Sequence, residues 1–281
     1  MNIMKTLFLI VFTLMVTGHA IGQQYYYKDL VLPTELTQKR AQFQASKVKG
    51  VRFKSFDNRN QPIEGFSCTQ TVSSNFLQLK TVTKDPLTGA SESIAQFDEK
   101  GRLIQTTDTT EGNRTVVTYR YDAGGRIAAI HRESYSPGQY VSKETHLWYY
   151  DEAGRPQRMV RIKNEKDSVY FRFVLDEKGN VVEENPEQQS RAESSVYYYY
   201  DDAGRLTDVV RYNRRAQRLL PDYVFEYDAE NRLHTMLVTI EGTGDYQKWY
   251  YTYNEKGLRA KDECFSKTRV LIGRIEYEYL F

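Results

Sequence analysis

Cysteine is nearly missing from this chain: Cys68 and Cys264 are the two in 281 residues. Two are too few for a small disulfide-stapled scaffold, and their spacing suits no structural zinc site. Proline is scarce at 7 residues and histidine at 4. Beyond the first twenty residues His131, His146 and His234 are scattered without metal-ligand or triad spacing, and each reads as a strand-surface residue. No Gly-x-Ser-x-Gly elbow, phosphate loop or dinucleotide fingerprint occurs. An excess of one charge is missing too, since 39 basic and 37 acidic residues leave +2, which argues against nucleic acid as a partner. No catalytic residue, cofactor or metal is expected from this inventory.

One long apolar run exists, at the start. Lys5 gives a positive beginning, residues 6–16 are almost wholly apolar, and small residues follow, the layout of a secretory signal. The run falls short of the roughly 20 residues needed to cross a bilayer, and no second run follows. Residues 1 to about 22 are therefore expected to be removed, by a cut that leaves Ile21 or Gln23 as the new terminus. The mature chain, without a transmembrane segment, is expected in the periplasm, at the cell surface or outside the cell.

Tyrosine is what abounds, at 23 residues, while helix-period patterning is nearly absent after residue 50. That balance points to sheet. The chain also repeats itself. Phe97-Asp98-Glu99-Lys100-Gly101-Arg102, Tyr121-Asp122-Ala123-Gly124-Gly125-Arg126 and Tyr150-Asp151-Glu152-Ala153-Gly154-Arg155 are copies of one motif. Further copies begin at Leu175, Tyr200, Tyr227 and Tyr253, and a degenerate one, Phe56 to Asn60, opens the series. Asp suits the first position of a type I turn and Gly the left-handed position after it. Asn60 and Asn231 replace that Gly, and Asn is the other residue that tolerates positive φ. Such turns join antiparallel strands in a bulged hairpin.

The residues before each turn alternate. One face carries Tyr119, Trp148, Phe173, Tyr198, Phe225 and Tyr251 as candidate core; the other carries Arg120, Arg172, Glu226 and Thr252. After the turns the pattern is less regular: Leu206 and Val210 share a face but Val209 takes the other, which fits burial on both sides or a further bulge. An additional hairpin fits between Phe76 and Gly89. Some sixteen strands at about 4.8 Å each would run to roughly 75 Å if flat, and so long a twisted sheet curls. The expected fold is thus all-β: an antiparallel β-hairpin repeat meander forming a strongly curled sheet, as an open spiral or a wide barrel, over residues 51–281. Residues 23–50 precede it as a capping segment, with a short N-terminal helix read over residues 33–49. Counted from Asn60 and Gly257, the two cysteines differ by one position and should face opposite sides. Two free, buried thiols and an open sheet are the expectation from that parity.

The string Tyr-Asp-x-x-Gly-Arg-Leu, intact at Tyr200 to Leu206, resembles the YD or RHS repeat, and approximate copies recur across residues 51–281. The resemblance implies a hollow β structure spiralling from stacked hairpins, and for some such segments carbohydrate binding. The chain shows far fewer copies than toxin-enclosing shells of that family and ends at Phe281 without their core segment or toxin domain. The resemblance therefore implies the fold rather than the toxin function.

The motif aspartates recur because their turns need them. Tyrosines on the polar face, Tyr149, Tyr197, Tyr199 and Tyr250, are the candidate binding residues, since an aromatic ring with a hydroxyl makes a good platform for sugars. Cross-strand packing of a β-rich surface is the other explanation, and the favoured one. The expected function is that of an exported, non-catalytic structural or interaction protein, with a surface glycan or another envelope protein as partner. The alternatives are a carbohydrate-binding module and a carboxylate-based glycoside-processing enzyme.

Overall fold

The computed structural model describes residues 24–188, 194–213, 216–240 and 243–281. The predicted signal, residues 1–22, lies outside the described residues. The described chain opens with a π-helical segment, Tyr26–Val31, which runs into helix α1, Leu32–Ala45. Strands β1 to β6 are Gly50–Phe56, Ser67–Val72, Gln78–Asp85, Gly89–Phe97, Leu103–Thr110 and Asn113–Tyr121. β7 to β12 are Ile127–Ser136, Gln139–Tyr150, Pro156–Lys163, Asp167–Leu175, Val181–Pro186 and Val196–Tyr200. β13 to β18 are Leu206–Asn213, Arg218–Tyr227, Leu233–Ile240, Asp245–Tyr253, Arg259–Ser266 and Leu271–Leu280.

Every strand pairs antiparallel with its neighbours in sequence, and β1 also pairs with β18, from Gly50 opposite Leu280 to Phe56 opposite Arg274. The sheet is therefore a closed barrel of eighteen strands, and the open form inferred from the cysteines is incorrect. Closure removes both edges, which would otherwise expose a row of unpaired backbone groups. The extra hairpin expected near Phe76 is β3 and β4, and it brings sixteen strands to eighteen.

The turns have the predicted form. In the seven copies from Asp98 onward the Gly or Asn N–H donates to the carbonyl of the motif Asp, or of Asn254, at 2.8–3.1 Å. The glycines hold φ between +71° and +87°, and Asn60 and Asn231 both hold +62°. The last copy, which departs from the motif with Leu258 in the Arg position, keeps this turn and buries Leu258 in the core. The first copy keeps the turn as well, but it opens on the opposite rim, because the connections at 73–77 and 86–88 intervene before the next copy. One rim thus carries seven motif turns and the other carries the loops that vary in length.

The aromatic column faces inward: Trp148, Phe173, Tyr198, Phe225 and Tyr251 are buried in one cluster. The irregular strands after the turns are explained by a second bulge. Pairing slips at Thr207, since Tyr199 pairs with Asp208 and Tyr200 with Leu206, so Leu206 and Val209 both join the inner cluster, while Val210 pairs with the outward Tyr197. Bulges also defeat the cysteine parity. Cys68 and Cys264 are both free and buried, each within an inner cluster, so they face the same side. A slip at Ala260, between Gly257 and Cys264, together with the first copy's place on the other rim, accounts for the difference. They stand on β2 and β17, three strand spacings or about 14 Å apart around the wall, beyond the reach of a disulfide.

The exterior is charged. Lys54 and Glu278, Lys80 and Glu92 (2.7 Å), Lys248 and Glu226 (2.9 Å), and Arg274 and Glu276 (3.1 Å) pair on outward positions of their strands. A lipid-facing barrel presents an apolar band there instead. Among the described residues no helix is long and apolar enough to cross a membrane.

Candidate functional site

Barrels of this strand number are too wide for wall side chains to fill. Here the chain's own N-terminal segment enters the lumen. Tyr25 packs against His146 and Phe171 with ring centroids 5.0 and 4.8 Å apart. Tyr26 meets Tyr198 at 5.1 Å, and Tyr27 meets Tyr223 and Phe225 at 5.2 and 5.7 Å. The helical segment then runs toward the motif rim, where Gln42 Nε2 donates to the Gly257 carbonyl at 2.8 Å and Arg40 Nε to that of Phe76 at 2.9 Å. The segment expected to cap the array is thus a cap at its C-terminal end and a plug at its N-terminal end.

Buried polar bonds anchor the plug. Glu184 on β11 is fully buried. Its Oε1 accepts the N–H groups of Gln24 and Tyr25, each at 3.1 Å, and its Oε2 accepts the Tyr26 N–H at 2.9 Å and the Tyr198 hydroxyl at 2.8 Å. The first N–H groups of a helix have no partner within it and carry the positive end of its dipole, so a carboxylate is the natural counterpart. Burial pushes the Glu184 carboxyl upward while the backbone and tyrosine bonds oppose that push. Gln24 Nε2 also donates to Asp222 Oδ2 at 2.6 Å, and Arg211 grips the same carboxylate through Nε at 2.5 Å and Nη2 at 3.0 Å.

A second anchor joins Asp29 of the plug to β8. His146 Nδ1 lies 2.6 Å from Asp29 Oδ2, His146 Nε2 lies 2.9 Å from Glu144 Oε1, and the Trp148 indole N–H donates to Asp29 at 3.1 Å. Burial alone would lower the imidazole's pKa, but Asp29 and Glu144 outweigh it and hold it up at about 9. An imidazolium donates from both nitrogens, which matches the two carboxylates. His146 is therefore a lumenal ion-pair residue and not the strand-surface residue its sequence context suggested.

Below these anchors the lumen holds charge on α1. Glu35 has accessible surface, yet burial pushes its carboxyl up to about 7 against the opposing Arg259. Burial likewise brings the Lys39 ammonium down to about 8, with Arg259 adding to it. Accessible surface and strong desolvation coincide where the accessible space is itself walled by protein. Facing them, the buried Asp262 accepts the Tyr277 hydroxyl at 2.5 Å and pairs with Arg259 at 3.3 Å.

The four predicted tyrosines all lie on the outer face, and the fold does not bring them together. Tyr149, Tyr199 and Tyr250 are exposed and Tyr197 is partly so. They stand on β8, β12 and β16, which are four strands or about 19 Å apart along the wall. Tyr250 packs edge-on against Phe265 at 5.4 Å, as the cross-strand reading expects. The lumenal residues escaped sequence reasoning. Tyr25, Tyr26 and Tyr27 in a row were their one visible signal, while Glu184 was hidden because the bulge in Val181–Pro186 obscures which positions face inward.

The motif also links successive copies. In each of five copies the Asp Oδ1 accepts the Arg N–H at 2.8–2.9 Å and Oδ2 accepts Arg Nε at 2.7–2.8 Å. In four of the five, Arg155 excepted, the Arg also covers the Tyr ring of the following copy, and that Tyr hydroxyl donates back to a backbone carbonyl of the copy before it: Tyr121 to Leu103, Tyr150 to Ile127, Tyr227 to Leu206 and Tyr253 to Leu233, all at 2.7–2.8 Å. Tyr, Asp, Gly and Arg of the motif thus each have a mechanical role. The RHS Repeat family model matches residues 97–136, which hold two of these turns. That segment is an RHS repeat. The copies outside it share its turn, and Tyr150, Tyr200, Tyr227 and Tyr253 share its Tyr hydroxyl bond. No curated protein matches the chain in sequence. Among solved structures, a chain of the TcdB2-TccC3-Cdc42 crystal structure is similar at 16% identity and a TM-score of 0.34, over 74% of this chain and 12% of that one. This chain therefore spans a small fraction of that relative's length. A porin-like protein from Bacteroides uniformis is similar at 7% identity and a TM-score of 0.42, over 83% of this chain and 96% of that one.

Proposed function

We propose that the protein is an exported, non-catalytic RHS-repeat scaffold that works through contacts on its outer wall and rims, in the cell envelope or outside the cell. The observation that carries this reading is the occupied lumen. Of the lumenal ionisable groups, Glu184, Asp29 and His146 are bonded to hold residues 24–31 in place, and Asp262 is paired with Arg259. The stitched repeats make a rigid wall, the kind of support on which recognition surfaces are carried. Carbohydrate binding is the second reading, favoured by the exposed rings of Tyr149 and Tyr199.

Expression of the full chain in a secreting host tests the first part: mass spectrometry should find the exported protein beginning at Ile21 or Gln23, and an intracellular protein retaining Met1 would overturn export. A glycan array separates the two readings. The scaffold reading expects no saturable glycan, whereas a glycan whose binding is lost in Tyr149→Ala or Tyr199→Ala would establish the second.

A further inference from the structure

Among the described residues three of the seven junctions on the stitched rim lack an arginine over a Tyr ring: Arg155 precedes Leu175, Leu258 precedes Tyr279, and Asn180 precedes Tyr200, the one of the three that combines a Tyr with a motif Asp lacking its Arg. At four junctions the motif arginine of one copy lies over the Tyr ring of the next: Arg102 over Tyr121, Arg126 over Tyr150, Arg205 over Tyr227 and Arg232 over Tyr253, at 4.5–4.8 Å from the centroid. These guanidiniums also neutralise the motif aspartates, at 2.7–2.8 Å. In the copy at Asp176 the arginine is replaced by Asn180, whose shorter side chain bonds Asp176 Oδ2 at 2.9 Å and ends there. The following Tyr200 keeps its hydroxyl bond, to the Val181 carbonyl at 2.8 Å. Among the described residues no cation lies over its ring. A pocket of about 240 Å³ opens at this junction, lined by Asp176, Lys178, Asn180, Tyr200, Asp201 and Asp202 among others.

We infer that this pocket is a binding slot for a guanidinium group, taking an arginine side chain from a protein partner in the position that the chain's own arginine fills at the four neighbouring junctions. Three features select that ligand. The Tyr200 ring offers a face of the type that Arg covers elsewhere in the same wall. Asp176 carries a carboxylate without a cationic partner among the described residues, whereas Asp201 beside it is already held by Arg205 at 2.7 Å. A planar, permanently charged fork both stacks on a ring and pairs with a carboxylate, which an ammonium does less well. Lys178 does not fill the slot: its Nζ reaches outward to the Asp202 carbonyl at 3.4 Å. The slot adjoins the plug, since Tyr198, which also bonds Glu184, lines it and the Tyr26 side chain bonds that of Tyr200, but it does not depend on the protein's compartment.

The test is ligand-observed NMR on the full chain with N-acetyl-arginine amide, using N-acetyl-citrulline amide as the uncharged isostere. Saturable binding of the arginine compound and none of the citrulline compound is expected. Asn180→Arg supplies the missing guanidinium from within and should weaken binding by about tenfold or more, the loss of one such contact. It should melt no lower than the wild type. Asp176→Asn keeps the turn's acceptor in place and removes the charge, and it too should lose the arginine compound. No arginine binding by the wild type, equal binding of citrulline, or binding that survives both substitutions would overturn the inference.

Discussion

The Arg205 guanidinium lies 4.7 Å from the ring centroid of Tyr227, one copy further along the chain, while the Tyr227 hydroxyl donates back to the carbonyl of Leu206 at 2.8 Å. At this junction and three others one copy holds the next by two contacts that the motif itself supplies. Tyr227→Phe removes one hydrogen bond and should lower stability by about 1 kcal/mol. Arg205→Ala removes the ring contact and the Asp201 bonds and should lower it by a similar amount, about 1 kcal/mol. Urea unfolding of both variants and of the double variant checks this. Because the two residues touch, the double variant should fall short of the sum.

Gly204 isolates the backbone requirement of the turn. Its φ is +78°, and a Cβ added there meets nothing within 4 Å. Gly204→Val therefore tests conformation without steric crowding and should lose about 1–2 kcal/mol, the penalty for an L-residue in the left-handed region. Gly204→Asn should lose much less, since Asn231 occupies the same turn position at +62°. Thr252→Val, on the outer wall, should be mild. Thermal melts of the three variants rank them.

Tyr198 and Tyr199 are adjacent and face opposite ways, with 1% and 48% of their surface exposed. Tyr198→Ala should lose about 3 kcal/mol or more, as buried aromatic truncations do, and it also takes a donor from Glu184. Tyr199→Ala should be close to neutral in stability. A reversed ranking in denaturant unfolding would mean the faces are assigned backwards.

His146 makes the plug sensitive to pH. Its folded pKa of about 9 lies above the ordinary value of about 6.5, so its contribution to stability is complete below about 6.5 and is lost as pH rises through about 9. The melting temperature of the wild type should fall across that window relative to His146→Gln, and the two profiles should run parallel below it. Glu184→Gln supplies a weaker acceptor to the Gln24, Tyr25 and Tyr26 N–H groups, so amide exchange of residues 24–31 should quicken before that of the barrel strands.

What the sequence made legible was the part fixed by short-range geometry. The turn at Asp201 to Gly204, the left-handed role of Asn231 and the inward column through Tyr198 all follow from residues within a few positions of one another. Long-range relations were not legible in the same way. The bulge at Thr207 turns Leu206 and Val209 to the same inner face and so breaks the alternation on which facing was judged. The same device turned the cysteine parity into a false argument for an open sheet. Closure depends on Val51 meeting Tyr279 across more than two hundred residues, which no local pattern records. The plug depends on Glu184, whose bonding role becomes evident once residues 24–26 are beside it.

The central claim is that β1 and β18 pair and close the barrel around the N-terminal segment. Lys54 and Glu276 are register partners on those strands. Spin labels at Lys54→Cys and Glu276→Cys, with Cys68 and Cys264 changed to Ala, report their separation by electron–electron dipolar coupling. Partnered Cα atoms lie about 5 Å apart, so closure predicts a single narrow population at the short end of the measurable range. Eighteen strands laid flat span about 80 Å, and a broad distribution centred several nanometres out would contradict the closed barrel.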